Sequence, residues 1–208
     1  MHAAPGAAVA GARHGPLQAA LGPHPGSRPA LRGVAGVTTS QQALAALHSD
    51  ESISRQQVVD WIRSGDLETW AVPYVLMDKA YSRIQPELGM HDTCAFIEDY
   101  LLKCLIENPE PGDWIHSGYE AAWDLAGWLK HLETLGPEAE RFIREVATRV
   151  EASFRQADPE TRERIINGFL EHVFEKPSLR NFFAPWTTEP ALAEAYALAA
   201  AWGDAHLA

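Results

Sequence analysis

The chain has 208 residues, 46% of them hydrophobic, so one sizeable core in one domain is expected. Residues 50–208 carry 14 Lys and Arg against 28 Asp and Glu, a net charge of −14 that disfavours binding to nucleic acid and to anionic lipid. Because of this charge, a basic protein is the electrostatically natural partner. No run of the sequence approaches the roughly 20 apolar residues of a transmembrane helix.

The first 36 residues differ in composition from the rest of the chain. They consist mainly of Ala, Gly, Pro and Arg, so they cannot bury enough apolar surface to offset the entropy lost on ordering. They also lack the dense apolar region of a secretory signal. We therefore expect residues 1–36 to be a disordered or misassigned N-terminal extension and residues 37–208 to form a single all-α domain.

Helix signals follow one another through the first part of this domain. A short helix is predicted over residues 40–47. Ser54 and Gln57 have the spacing of a capping box, in which a hydroxyl and an amide satisfy free backbone N–H groups at a helix start. The apolar stretch 67–84 predicts a further helix, which Pro73 either kinks or starts.

The middle of the chain contains two more helix signals. Asp92 is predicted to cap a helix that ends at the Pro- and Gly-rich loop 108–114. Ser117 and Glu120 form a second capping box, for a helix that closes at Gly136. Two cysteines lie ten residues apart on the first of these helices, too far for a disulfide along a straight helix. Buried reduced thiols in a cytoplasmic protein are therefore expected.

Three further helices complete the predicted fold. Residues 142–154 carry an apolar stripe at helical spacing, and Asp158 followed by Pro159 starts another helix. An aromatic connector between Pro177 and Pro185 leads to an Ala-rich last helix. No alternating strand pattern occurs. We predict an all-α fold of six to eight helices, arranged as an antiparallel bundle or a short stack of helical hairpins.

Glu98 breaks the amphipathic pattern of its helix. Apolar residues three, four or seven positions away surround it on the buried face: Cys94, Leu101, Leu102 and Leu105. A carboxylate there is partly desolvated, which raises its pKa unless a cation or hydrogen-bond donors compensate. Glu98 is therefore a candidate general acid or base, or a ligand anchor. The structural alternative is a buried ion pair with an Arg.

A second candidate site is a narrow polar strip on the helix that follows Ser117, flanked by two tryptophans. Glu120, Asp124, Gly127 and His131 succeed one another at steps of four, three and four residues, so they share one face. Two carboxylates and a histidine there suit a cation or a proton transfer by His131. One straight helix does not enclose a metal, however, and no metal or other cofactor is predicted. The alternative is a solvent-facing strip.

Aromatic residues in the loops are the third candidate. Trp114 and His116 form one patch, and Phe183 and Trp186 form another. Loops carry binding residues disproportionately, and Trp is enriched at interface hot spots. The alternative is that these rings fold back as plugs over one end of the bundle.

Gly168 stands in the middle of a predicted helix, away from its apolar stripe. Gly costs about 1 kcal/mol of helix propensity relative to Ala at such a position. We therefore expect the close approach of a neighbouring element or a ligand there.

The segment Ile166-Asn-Gly-Phe-Leu-Glu-His-Val173, continued by Pro177-Ser-Leu-Arg-Asn-Phe-Phe183, resembles parts of small all-helical bacterial proteins of uncharacterised function. Some of those proteins are immunity-type partners of toxins. The resemblance covers the last third of the chain and contains no functional signature. It implies a bacterial, cytoplasmic, protein-binding protein and transfers no site residues.

These signals favour a binding protein over an enzyme, since no phosphate-binding loop, nucleophile elbow or metalloprotease motif occurs. The leading hypothesis is a protein-binding module, immunity- or antitoxin-like, that contacts a basic partner through acidic side chains around Trp114 and Trp186. The alternative is a helical enzyme or small-ligand-binding protein with a pocket at Glu98, or at Glu120, Asp124 and His131 of the polar strip. A third possibility is self-association through the C-terminal helix.

Overall fold

Helices make up nearly all of the part of the chain that the structure describes. The structure is a computed structural model and describes residues 39–110 and 114–206, which belong to one unit, Gly36–Ala208. The predictions for residues 1–36 therefore fall outside the described residues. The all-α fold class is confirmed, with seven helices of nine or more residues in the described ranges. No helix of these ranges combines the length and apolarity needed to cross a bilayer.

The first three helices are α1 (Thr39–Leu47), α2 (Arg55–Arg63) and α3 (Leu67–Lys79). The predicted capping box starts α2, since the Ser54 hydroxyl accepts the backbone N–H of Gln57 and the Gln57 side chain accepts that of Ser54. Asp66 caps α3 by accepting the backbone N–H of Thr69 at 2.9 Å. These caps position α3, which later supplies one wall of the candidate site.

The helix predicted over residues 67–84 is too long. It ends at Lys79 with Pro73 in its interior, and a short 3-10 turn follows. Ile84–Gln85 (β2) then pairs in parallel with Ile53–Ser54 (β1), a two-residue ladder that the sequence did not predict. The two isoleucines are buried and the two polar residues are exposed, so the ladder contributes its isoleucine side chains to the hydrophobic core.

The central helices are α4 (Met90–Glu107), α5 (Gly118–Thr134) and α6 (Glu140–Gln156). The prediction that Asp92 caps α4 is wrong, because Gly89 occupies the cap position. Asp92 lies in the first turn instead and pairs with Arg55 at 2.7 Å. The capping box of Ser117 and Glu120 starts α5 as predicted.

One helical stretch joins α7 (Pro159–Glu163), a π-helical turn (Arg164–Leu170) and α8 (Glu171–Phe174). The sequence predicted the helix but not its π-helical turn. Gly168 lies in this turn against α5, where an added Cβ would lie 2.8 Å from the Cβ of Ala122 and 3.1 Å from Cδ1 of Tyr119. The close approach predicted at Gly168 is therefore confirmed, and the neighbour is α5.

The chain ends with α9 (Pro177–Arg180), a 3-10 segment (Asn181–Thr188) and α10 (Pro190–His206). Phe183 and Trp186 lie in the 3-10 segment and are fully buried. The Trp186 ring packs 5.3 Å from that of Phe154 and 5.9 Å from that of Phe183. The interpretation of Phe183 and Trp186 as a binding patch is corrected accordingly, because burial of about 150–250 Å² per aromatic ring draws both into the core.

Candidate functional site

A cleft opens between α3, α4 and α5, and we call it the α3–α5 cleft. Its volume is about 530 Å³, within the range of roughly 300–1,000 Å³ typical of ligand pockets. Apolar side chains line one part of it: Met77 from α3 and Ile97 and Leu101 from α4. All three are buried and belong to the hydrophobic core. Since the other lining residues are mostly aromatic or polar, the cleft combines an apolar floor with groups that orient a ligand.

The polar strip predicted on α5 supplies one wall of this cleft. Asp124, Gly127 and His131 all line it. Glu120 has a different role, because its carboxylate accepts the backbone N–H and the hydroxyl of Ser117, both at 2.9 Å. The hydrogen bond from the Ser117 backbone lowers the pKa of Glu120 more than any other cause. Three of the four strip residues therefore face the cleft, while Glu120 caps the helix.

Asp124 is the centre of a hydrogen-bond network that joins three elements. Its Oδ2 accepts the Tyr74 hydroxyl of α3 at 2.9 Å and lies 3.0 Å from Nε2 of His116, in the loop before α5. The Tyr100 hydroxyl of α4 lies 2.9 Å from Nδ1 of the same ring. Through its two ring nitrogens, His116 therefore joins the Asp124 carboxylate to the Tyr100 hydroxyl. Both neighbouring helices thus hold Asp124 in place.

Burial keeps the hydroxyls of this network protonated. Desolvation raises the pKa of Tyr100 and of Tyr74, and for Tyr74 the Asp124 carboxylate adds to the rise. Cys104, one turn after Tyr100, is also buried, and burial raises its pKa to about 12. All three groups are therefore protonated at neutral pH, and Tyr100 and Cys104 are also fully buried, out of reach of a substrate in the cleft.

Glu98 follows Ile97 on α4 but is not among the residues that line the cleft. It is 1% exposed, and its Oε1 is buried without a hydrogen-bond partner among the described residues. Burial raises the pKa of Glu98 to about 7, although the charge of Arg149 and the nearby indole of Trp128 lower it. Arg149 pairs instead with Asp99 at 2.6 Å. The desolvation predicted for Glu98 is therefore present, without a close ion pair to Arg149.

An aromatic ridge leads from the cleft across α5, α8 and α10. Trp123 lines the cleft, is 52% exposed, and lies 6.3 Å from Tyr119 and 6.4 Å from His172 between ring centroids. The His172 ring lies 5.0 Å from that of Trp202, which stacks on His206 at 3.9 Å. We call these five residues the aromatic ridge. Trp123 belongs to both the ridge and the cleft, so the two adjoin, and exposed aromatic groups of this kind are typical of interaction sites.

Residues of the loop before α5 and of α3 also contribute to the candidate site, and the sequence pointed to only some of them. Trp114 and His116 are partly buried, with the Trp114 ring edge-on to His48 at 6.1 Å. Of the two, His116 reaches the candidate site, through Asp124. The sequence did not single out Tyr74 and Asp78, which line the cleft from α3. They are four residues apart, on one face of a helix, and this spacing is the signal that was available.

No protein-family model matches the chain, and comparison with curated proteins and with solved structures finds no match either. Across residues 39–110 and 114–206, no group of three or more His, Cys, Asp or Glu side chains is arranged to hold a metal ion. The function of the cleft and the ridge is therefore argued from their own chemistry.

Proposed function

We propose that this protein is a protein-binding module that recognises a basic partner through the surface formed by the α3–α5 cleft and the aromatic ridge. One observation carries this proposal: Trp123 is 52% exposed and belongs to both the cleft and the ridge, and Asp124 lines the same cleft. Large aromatic side chains at the centre of an interface supply much of its binding energy. Acidic groups beside such an anchor favour a partner of opposite charge.

The charge of the chain favours a basic partner over a second copy of this protein. Residues 50–208 carry a net charge of −14. Self-association through α10 would bring two such acidic surfaces together, and like charges facing each other oppose binding. The electrostatic field of the acidic surface would instead attract a basic protein, which raises the rate of encounter and orients the partner.

The sharpest form of this proposal is an immunity- or antitoxin-like role in the bacterial cytoplasm, in which an acidic domain covers a basic effector. The resemblance of residues 166–183 to parts of small all-helical bacterial proteins, some of them immunity-type, supports it. Cys94 and Cys104 are both buried and unpaired, which suits a reducing compartment.

A helical enzyme or small-ligand-binding protein is the second candidate. The volume of the cleft favours it, as does the pKa of about 7 for Glu98, since a carboxyl group that titrates near neutrality suits general acid–base catalysis. However, Glu98 does not line the cleft, and the half-buried Tyr74 and the buried Tyr100 both keep a protonated hydroxyl. The geometry therefore favours binding over catalysis.

Affinity capture tests the protein-binding proposal. The full-length protein, Trp123→Ala and Ile106→Ala are each immobilised and exposed to lysate of the source organism at low salt. Ile106 is the matched control, because it is an apolar side chain of α4 that is 41% exposed and lies outside the cleft and the ridge. We expect a basic protein to be retained by wild type and Ile106→Ala, lost with Trp123→Ala, and released by salt. Equal retention by all three proteins, or no retention by wild type, would contradict the proposal.

A further inference from the structure

We infer that the α3–α5 cleft is the anchor site for one lysine side chain of the basic partner, an inference that rests on the proposed function. A lysine side chain has two chemically distinct parts, a four-carbon stem and a compact ammonium. The cleft offers a matching pair of environments. Its floor is made by Met77, Ile97 and Leu101, and its carboxylates come from α3 and α5.

The floor of the cleft suits the apolar stem. Met77 and Ile97 are each 8% exposed and Leu101 is fully buried, and all three belong to the core, so the apolar surface they give the cleft is firm rather than mobile. Lysine commonly lays its methylene groups along such a surface while its ammonium reaches polar groups beyond it. Burying the stem removes apolar area from water on both partners, which favours binding.

Two carboxylates and two indoles suit the ammonium. Asp78 from α3 and Asp124 from α5 line the cleft from different helices, so the negative charge is not confined to one wall. Trp123 and Trp128 line it as well, and the face of an indole attracts a cation within about 6 Å. The Tyr74 hydroxyl stays protonated and donates to Asp124, so the carboxylates remain the negative groups.

The hydrogen bonds of Asp124 favour an ammonium over a guanidinium. Its Oδ2 already accepts from Tyr74 and interacts with Nε2 of His116. A bidentate arginine contact uses both oxygens of one carboxylate in a fixed planar geometry, so it competes with both of these partners. A lysine ammonium is a compact charge without that planar requirement, and it can approach two carboxylates from between them.

Tripeptide titration of the full-length protein tests this inference. Ac-Gly-Lys-Gly-NH₂, its Arg analogue and its neutral norleucine analogue are added at about pH 8, above the ordinary histidine pKa of about 6.5. Binding is followed by the NMR signals of the Trp123 and Trp128 indole N–H groups, assigned with Trp→Phe variants. We expect saturable shifts for the Lys peptide with a dissociation constant of order 1 mM. The Arg peptide should bind at least about threefold more weakly, and the norleucine peptide should cause no saturable shift.

Variants test whether the indole NMR shifts depend on the two carboxylates that line the cleft. Asp78→Asn should weaken binding of the Lys peptide about threefold or more, because one attractive charge is lost. Asp78 is exposed, so this variant folds even if Asp124→Asn, which disturbs the hydrogen-bond network, does not. Glu138→Gln is the matched control, since it removes an exposed carboxylate that does not line the cleft, and binding should be unchanged.

Several outcomes would overturn the lysine anchor. Equal shifts with the norleucine peptide would make the cleft a purely apolar pocket, and tighter binding of the Arg peptide would assign it to a guanidinium. Tighter binding of putrescine than of the Lys peptide would identify a free diamine as the occupant. If no peptide binds while capture still depends on Trp123, the anchor is wrong and the protein-binding proposal stands. If Asp78→Asn weakens Lys peptide binding while capture fails, the cleft binds ammonium groups and the protein-binding proposal falls.

Discussion

The two sides of α5 differ in how closely the neighbouring elements approach. On one side Gly168 of the π-helical turn meets Ala122 and Tyr119 so closely that an added Cβ would lie 2.8 Å from the nearest atom. On the other side an added Cβ at Gly127 has nothing within 4 Å, and this residue lines the α3–α5 cleft. Small residues let the backbones approach on the first side, whereas large aromatic side chains line the open space on the second. One helix thus contributes both to the packed core and to the recognition surface.

The same contrast between interior and cleft appears in two carboxylates. Glu98 is buried, one of its oxygens has no hydrogen-bond partner within residues 39–110 and 114–206, and burial raises its pKa to about 7. Asp124 has a side chain that is 48% exposed, and its Oδ2 interacts with the Tyr74 hydroxyl and with His116. A carboxylate keeps its charge where water and donors solvate it and tends to lose it where neither is present. The carboxylate that can attract a charged partner is therefore Asp124 in the cleft. Glu98 instead makes the stability of the fold depend on pH.

The packing contrast predicts opposite effects of one substitution at the two glycines. Gly168→Ala should lower the free energy of unfolding by about 2–3 kcal/mol, because the new methyl group overpacks the contact with α5. Gly127→Ala should raise it by about 0.5–1 kcal/mol, because Ala favours the helix and the added methyl group meets no neighbour. Urea unfolding of both variants measures the difference. Effects of the same sign at the two positions would show that the sides of α5 are packed alike.

The carboxylate contrast predicts that Glu98→Gln changes stability in a pH-dependent way. The folded-state pKa of about 7 exceeds the ordinary value of 4.5, so the folded protein binds this proton more tightly than the unfolded chain does. The contribution of the carboxyl group to stability is therefore full below about pH 4.5 and is lost as pH rises through about 7. Gln mimics the neutral form, so the variant should match wild type near pH 4.5 and exceed it by about 3 kcal/mol at pH 8.

Urea unfolding at several pH values measures this effect, with Glu138→Gln as the exposed control that should show little pH dependence. A constant difference between Glu98→Gln and wild type across the pH range would mean that the pKa of Glu98 is the same in the folded protein and in the unfolded chain. A less stable variant at pH 8 would mean that the Glu98 carboxylate makes a stabilising contact in the folded protein.

Local signals in the sequence were sufficient for most of the helices. The capping boxes at Ser54 and Ser117 act over three residues, so they are visible without tertiary information, and both start helices. Gly168 was also informative. A glycine inside a helix lowers helix stability, and close packing against a neighbouring element explains its presence at this position. The burial of Glu98 followed from helical spacing alone.

The cleft could not be predicted, because it depends on how helices pack. Tyr74 and Asp78 reach it only through the rotation of α3 relative to α5, which no local pattern encodes. Phe183 and Trp186 show a related limit: rings in a connector either plug the core or face a partner, and the choice depends on the space available beneath them. The strip residue Asp124 was identified, but its bonds to Tyr74 and His116 come from outside its own helix.

A small effect is also expected from the network that holds Asp124 at the cleft. Tyr74→Phe removes the hydroxyl that donates to Oδ2 and should lower the free energy of unfolding by about 1 kcal/mol, the usual net value of one hydrogen bond. The loss is limited because Asp124 keeps His116 and is half exposed to water. A double-mutant cycle with Asp124→Asn isolates the pairwise part of this effect. A coupling energy near zero would show that water replaces the Tyr74 hydroxyl at no cost, so α3 does not orient the carboxylate. A coupling energy of about 1 kcal/mol would show that the Asp124 carboxylate is held in place before any partner binds.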